Sequence, residues 1–354
     1  MTRAFVLATL LALAACSPTF DPASRVEKLR VLAVRAEPPE LDPAGVETAA
    51  LQSLVVRADF AAQPARTTTV VHLACIPAPG QVAPSPCVMM ASLADPAEVL
   101  AAAAPASCAP PAAPGPGEAP PPVFAGVEAC VDGACGPAAL SGGGALPPAA
   151  VRVPSGYSFD ALPASSPERI LGTQIVVLAL ARDATPDELA AGAGGACPQA
   201  DLLTRLAALW RTREHVLSTK RVPIRGPLAP DAPNRNPSVD GILAGAIPLD
   251  PVGATTVAPG DVALAPILPA GAAGEPETYT KLDAAGQPIE TAQEEWVYSW
   301  FSTLGDLDEL HTRGAATEKW TVGGAAGTRA KVAVVARDLR GGTAWALRDV
   351  VVGP

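Results

Sequence analysis

The chain has 354 residues, and its 25 Lys and Arg against 35 Asp and Glu give a formal net charge of −10. That balance excludes the clustered basic surface that nucleic-acid binding needs. With 31 Gly, 40 Pro and only 4% aromatic residues, it should be rich in turns and poor in long amphipathic helices.

Arg3 precedes an apolar run from Ala4 to Ala15 (AFVLATLLALAA), broken only by Thr9, and Cys16 follows it. The run is shorter than the roughly 20 residues of a spanning helix and lies behind a positive residue, so residues 1–15 read as a secretory signal. Leu13-Ala14-Ala15-Cys16 resembles the lipobox of bacterial lipoprotein precursors. The resemblance implies cleavage before Cys16, lipid on its thiol, and residues 16–28 as a tether. Acyl chains contribute roughly 0.8 kcal/mol per buried methylene, so a membrane is the first expected partner. Ser17 after the cysteine, by the sorting rule of that family, points to the outer membrane, with the protein facing periplasm or cell surface.

Six cysteines are then left: Cys75, Cys87, Cys108, Cys130, Cys135 and Cys197. An even set in an exported chain reads as disulfides, with the connectivity open. Cys130 and Cys135 bracket a turn-forming Asp132-Gly133, which suggests a bridged hairpin, and Cys75 with Cys87 is the next candidate pair.

The expected fold class is mainly β, as two immunoglobulin-like antiparallel sandwiches. In the first, residues 29–226, strands are predicted at Leu29–Ala36, Leu51–Phe60, Thr67–Ile76, Gln174–Arg182 and Val216–Arg225. One short helix is predicted over Asp201–Arg213, capped by Asp201. Residues 77–154, with runs such as CAPPAAPGPGEAPPPV, read as a long insertion held by its cysteines. Pro227–Pro237 (PLAPDAPNRNP) reads as a linker that isolates a self-folding unit, residues 238–354. Strands there are predicted near Asp240–Ala246, Asp261–Ile267, Glu295–Thr303, Lys319–Val322, Ala330–Asp338 and Ala344–Val352.

The segments VYSWFSTLGDLDE, KWTVGG and KVAVVARDLRGGTAWALRDVVV of this second unit resemble the closing half of PKD-type and related bacterial immunoglobulin-like domains. Val332, Val334 and Ala336 alternate with Ala333, Val335 and Arg337, and Gly341-Gly342 supplies the turn. The layout behind the lipobox also resembles lipoproteins of myxobacteria. Such folds host many functions, so the resemblance implies an architecture and not an activity.

Few residues invite chemistry. His72, His215 and His311 show no metal-ligand spacing, and no G-x-S-x-G nucleophile turn occurs, so neither cofactor, metal nor enzyme activity is expected. Asp306, Asp308 and Glu309 read as turn carboxylates. Arg205, Arg211, Arg213, Lys220, Arg221 and Arg225 form one basic stretch, read as a solvated face paired with carboxylates such as Glu214. Trp296, Tyr298 and Trp300 share one face of a strand; inward they are core, outward they would suit a glycan or a protein. The expected function is a non-catalytic envelope lipoprotein that contacts envelope proteins or glycans. Alternatives are a ligand-binding lipoprotein and, more distantly, an envelope hydrolase.

Overall fold

The computed structural model describes residues 23–78, 96–106, 122–141, 145–154, 156–190 and 197–354. The protein is mainly β, with several antiparallel sheets. In chain order the first half contains β1 (Arg30–Glu37), β2 (Thr48–Val56), β3 (Thr67–Cys75), α1 (Pro96–Ala106), β4 (Val123–Val131), β5 (Ala134–Pro137) and β6 (Ala150–Arg152). It continues with α2 (Glu168–Leu171), β7 (Thr173–Arg182), α3 (Pro186–Ala190), α4 (Pro198–Leu209) and β8 (His215–Ile224). The second half begins with β9 (Gly241–Ala244), β10 (Ile247–Pro248), β11 (Ala254–Val257), β12 (Gly260–Ile267), β13 (Thr278–Leu282) and β14 (Pro288–Gln293). It closes with β15 (Val297–Ser302), β16 (Asp306–Leu307), β17 (His311–Arg313), β18 (Glu318–Val322), β19 (Arg329–Arg337) and β20 (Thr343–Val352).

Four sheets stack face to face. A five-stranded sheet, β5-β4-β3-β7-β8, carries α1, α3 and α4 on one side, where Leu100, Leu178, Leu180, Leu203 and Trp210 form the core. Its other side packs on the three-stranded sheet β1-β2-β6 through Val70, Ile175, Val177, Leu51 and Val151. Burial on both sides explains why β3 and β7 read as continuous apolar runs rather than as alternating ones. The second half is a sandwich of β11-β20-β19-β15-β17 on β10-β9-β12-β18-β16, filled by Trp300, Trp320, Val332 and Val334. β11 runs parallel to the last strand; the other pairings within these two sheets are antiparallel.

The two sandwiches share a fourth apolar layer. Val26, Leu32, Ala33, Leu54 and Val56 from the first half meet Ala333 and Val335 of β19, with Phe301, Trp345 and Leu347 packed against them. Lys331, only 4% exposed, completes this joint: its Nζ lies 2.9 Å from Asp132 and 2.7 Å from Asp349, above the Phe60 ring.

Several expectations need correction. Residues 77–154 are not merely an insertion, because β4 sits inside the five-stranded sheet next to β3 and the same stretch supplies α1, β5 and β6. In place of one helix there are four among the described residues, and α4 starts at Pro198 with Cys197 at its cap, which leaves Asp201 in its first turn. The described part of the tether, residues 23–28, is docked on the second half: Val26 N–H donates to Ser302 O at 2.8 Å, and Ser302 N–H donates to Ser24 O. The 227–237 stretch is a bound strap. Asn234, 4% exposed, takes Glu40 on its backbone N–H and Asp338 on its amide, while Asn236 donates to Ala36 O.

The disulfide hairpin forms as expected. Cys130 pairs with Cys135 in register and is bonded to it, across a turn in which Asp132 and Gly133 both adopt positive φ. Gly133 is favoured by its positive φ, and a Cβ there would also push on Leu347 Cδ2 in the joint, 2.4 Å away. Cys75 and Cys197 are also disulfide-bonded; Cys16, Cys87 and Cys108 lie outside the described residues.

If the joint couples the halves, a cavity on either side of it lowers a single unfolding transition. Leu54→Ala on β2 should cost about 2 to 5 kcal/mol, and Trp300→Ala in the far core about 3 to 5 kcal/mol. Denaturant melts followed by tryptophan fluorescence should show each variant shifting the whole curve. A second-half transition that ignores Leu54→Ala would contradict the coupling.

Candidate functional site

The aromatic strand does not form a site. Trp296, Tyr298 and Trp300 are 4%, 2% and 0% exposed and all face the second-half core, with Trp300 Nε1 donating to Thr312 Oγ1 at 2.9 Å. The opposite face of β15 turns to the joint, where Phe301 packs and Ser299 Oγ accepts from Arg337. Of the two alternatives, the strand takes the inward one, core, and both sides of this sheet are covered.

The turn carboxylates are spent on cations: Asp308 on Lys319 at 3.1 Å and Asp306 on Arg25 at 3.5 Å. Among the described residues no group of three metal-ligating side chains converges. Nor does the basic stretch act as one patch. Arg213 pairs with Glu188, Arg205 donates to Glu188 O, and Arg225 approaches Glu40. Glu214, its expected partner, instead accepts from Leu29 N–H and Arg57.

Sequence reasoning missed two arrangements. The first is a buried polar cluster between β2, β3 and β4: His72 Nε2 lies 2.8 Å from Glu128 Oε2, and Ser53 N–H donates to Glu128 Oε1 at 3.1 Å. All three residues are at most 3% exposed. Ser53 Oγ and the Glu128 carboxylate address the same ring nitrogen, so the cluster lacks the relay in which a base bonds hydroxyl and carboxylate through opposite nitrogens. Its work is structural, since Glu128 satisfies a β2 N–H beyond the short reach of β6.

The second arrangement is a cleft of about 280 Å³ between the two sandwiches, lined by Val34, Lys220, Arg221, Arg337, Arg340 and Thr343 among others. The Asp338–Gly342 loop builds one wall, and its shape follows from one carboxylate: Asp338 Oδ1 accepts from the N–H groups of Arg340, Gly341 and Gly342 at 2.8, 3.0 and 2.8 Å. Gly342 is obligatory, because a Cβ there would sit 2.1 Å from Asp338 Oδ2. β8 builds the other wall. Lys220 Nζ crosses the gap and donates to Gly341 O and, at 2.9 Å, to Thr343 Oγ1.

Arg337 lies at the base of the cleft, donating to Leu32 O on the β1 edge and to Ser299 Oγ. Arg340 is neutralised by Glu294 at 2.8 Å. Among the described residues, Lys220, Arg221 and Arg337 have no carboxylate within ion-pair distance. Burial disfavours the charged form of Arg337 and pushes the Lys220 ammonium down to about 8, against the pull of Asp338 and with the repulsion of Arg337.

The ordinary lysine value is 10.5, so between pH 8 and 10.5 the unfolded chain keeps a proton that the folded chain has released. Stability should therefore rise with pH across that window, the cost of burying the charge being fully present below it. Thermal melts of the protein and of Lys220→Met should diverge there, with the rise absent from the variant. Parallel curves would mean that Lys220 is not held in a desolvated site. No protein-family model matches the chain and no curated protein matches it in sequence, so the reading of the cleft rests on its geometry alone.

Proposed function

We propose that the chain is an exported envelope lipoprotein, held on the outer membrane by lipid on Cys16, whose stacked sandwiches serve as a non-catalytic structural or interaction module. Its cysteine chemistry carries the reading. Cys130 and Cys135 are bonded across their hairpin, and Cys75 and Cys197 are also in disulfides, which suits an oxidising compartment and not the cytosol. Cys16 stands apart from these, at the end of the apolar run.

The module reading draws support from the joint, which fixes the sandwiches relative to each other without a mobile linker. A PKD-type or immunoglobulin-like relationship for the second half is consistent with its two packed sheets. Its partners are envelope proteins or glycans. The ligand-binding alternative is favoured by the basic cleft instead of the aromatic strand.

Cys16→Ser should abolish incorporation of labelled palmitate and leave an uncut precursor when the gene is expressed in a Gram-negative host. Labelling equal to that of the parent would rule out this cysteine as the anchor.

A further inference from the structure

We propose that the cleft between the sandwiches is a binding site for a small molecule that presents an oxyanion, a phosphate or a carboxylate. The inference goes beyond the envelope reading and does not rest on lipidation. Lys220, Arg221 and Arg337 line one cavity, and no carboxylate among the described residues neutralises them. Buried charges are ordinarily paired, because desolvation of an ion costs several kcal/mol even after relaxation. Here Lys220 is 9% exposed and its hydrogen bonds go only to the neutral Gly341 O and Thr343 Oγ1.

The nearest acid, Asp338, has both oxygens engaged, one by three loop N–H groups and the other by Asn234 Nδ2 at 2.9 Å. Lys220 and Arg337 thus face a single committed carboxylate, with Arg221 exposed beside them on β8. In a chain of net charge −10 this local excess is not a by-product of general basicity. An oxyanion seated against Lys220 and Arg337 would supply the missing countercharge through short, charge-assisted hydrogen bonds.

The size of the cleft selects the ligand class. About 280 Å³ lies just below the usual ligand-pocket range, which begins near 300 Å³, so it suits a small molecule better than a polymer. Two walls come from opposite sides of the joint, β8 from the first half and the Asp338–Gly342 loop from the second. An occupant would therefore bridge the sandwiches and stabilise their contact.

The test is calorimetric titration of the full-length protein in detergent with inorganic phosphate and, separately, citrate, against chloride as control, at pH 7 and pH 9. Saturable binding of phosphate identifies a phosphate-bearing ligand, and saturable binding of citrate alone a polycarboxylate; either result supports the site. Lys220→Gln and Arg337→Gln should each weaken binding about tenfold or more, the loss expected for one charge-assisted hydrogen bond. The two residues lie on different strands, β8 and β19, one from each half, so one variant keeps the test decisive if the other fails to fold.

Citrate, ionised at both values, should also bind more weakly at pH 9 than at pH 7. Lys220 loses its proton in that interval; the other charged groups around the cleft are Arg221 on β8, Arg337 on β19, and Asp338 and Arg340 in the loop. Absence of saturable binding by both anions, or parent affinity in a folded Lys220→Gln or Arg337→Gln variant, would overturn the proposal.

Discussion

Burial of β19 on both faces is the constraint that ties the molecule together. A strand in a free-standing sandwich keeps one face in water and places polar side chains there. β19 instead turns Val332, Val334 and Ala336 to the second-half core and Ala333 and Val335 to the first half. Each fully buried side chain of valine size contributes about 1.5 to 3 kcal/mol, so leaving this second face wet would be costly. β2 answers it with the same device, Leu51 and Val55 facing one way and Leu54 and Val56 the other. Two strands with two apolar faces turn a pair of sandwiches into one stack.

Polar groups at the joint follow from that geometry. Lys331, Ala333, Val335 and Arg337 alternate on the same face, so the two cations bracket the apolar contact. Lys331 is neutralised by Asp132 and Asp349, whereas Arg337 finds only a hydroxyl and a backbone carbonyl. The structure is thus electrostatically closed at one edge of the joint and open at the other. The open edge is the cleft.

Much of this architecture was legible from sequence patterns. The long strands β1, β3, β7, β8, β19 and β20 declared themselves by apolar runs or alternation, and Asp132-Gly133 between two cysteines gave the hairpin. β4 was hidden, because VFAGVEACV is interrupted by Gly126 and Glu128 and flanked by proline-rich sequence. The β13–β14 hairpin was invisible for the opposite reason: its residues are mostly exposed and carry little apolar pattern. Period-two spacing placed Trp296, Tyr298 and Trp300 on one face but could not say which face was inside. A signal for the joint was present in Ala333 and Val335, apolar where a solvated face should be polar. The cleft had none, since Val34, Lys220 and Arg337 are far apart in the chain and converge only after the two halves dock.

The most direct measurement of the central claim is native-state hydrogen exchange at the amides of β2 and β19. If the joint makes one cooperative stack, Leu54, Val56, Ala333 and Val335 exchange with the same protection, at the limit set by global unfolding. Amides of β19 that exchange through a lower-energy opening than those of β2 would show that the sandwiches separate in the native state, and would contradict the account.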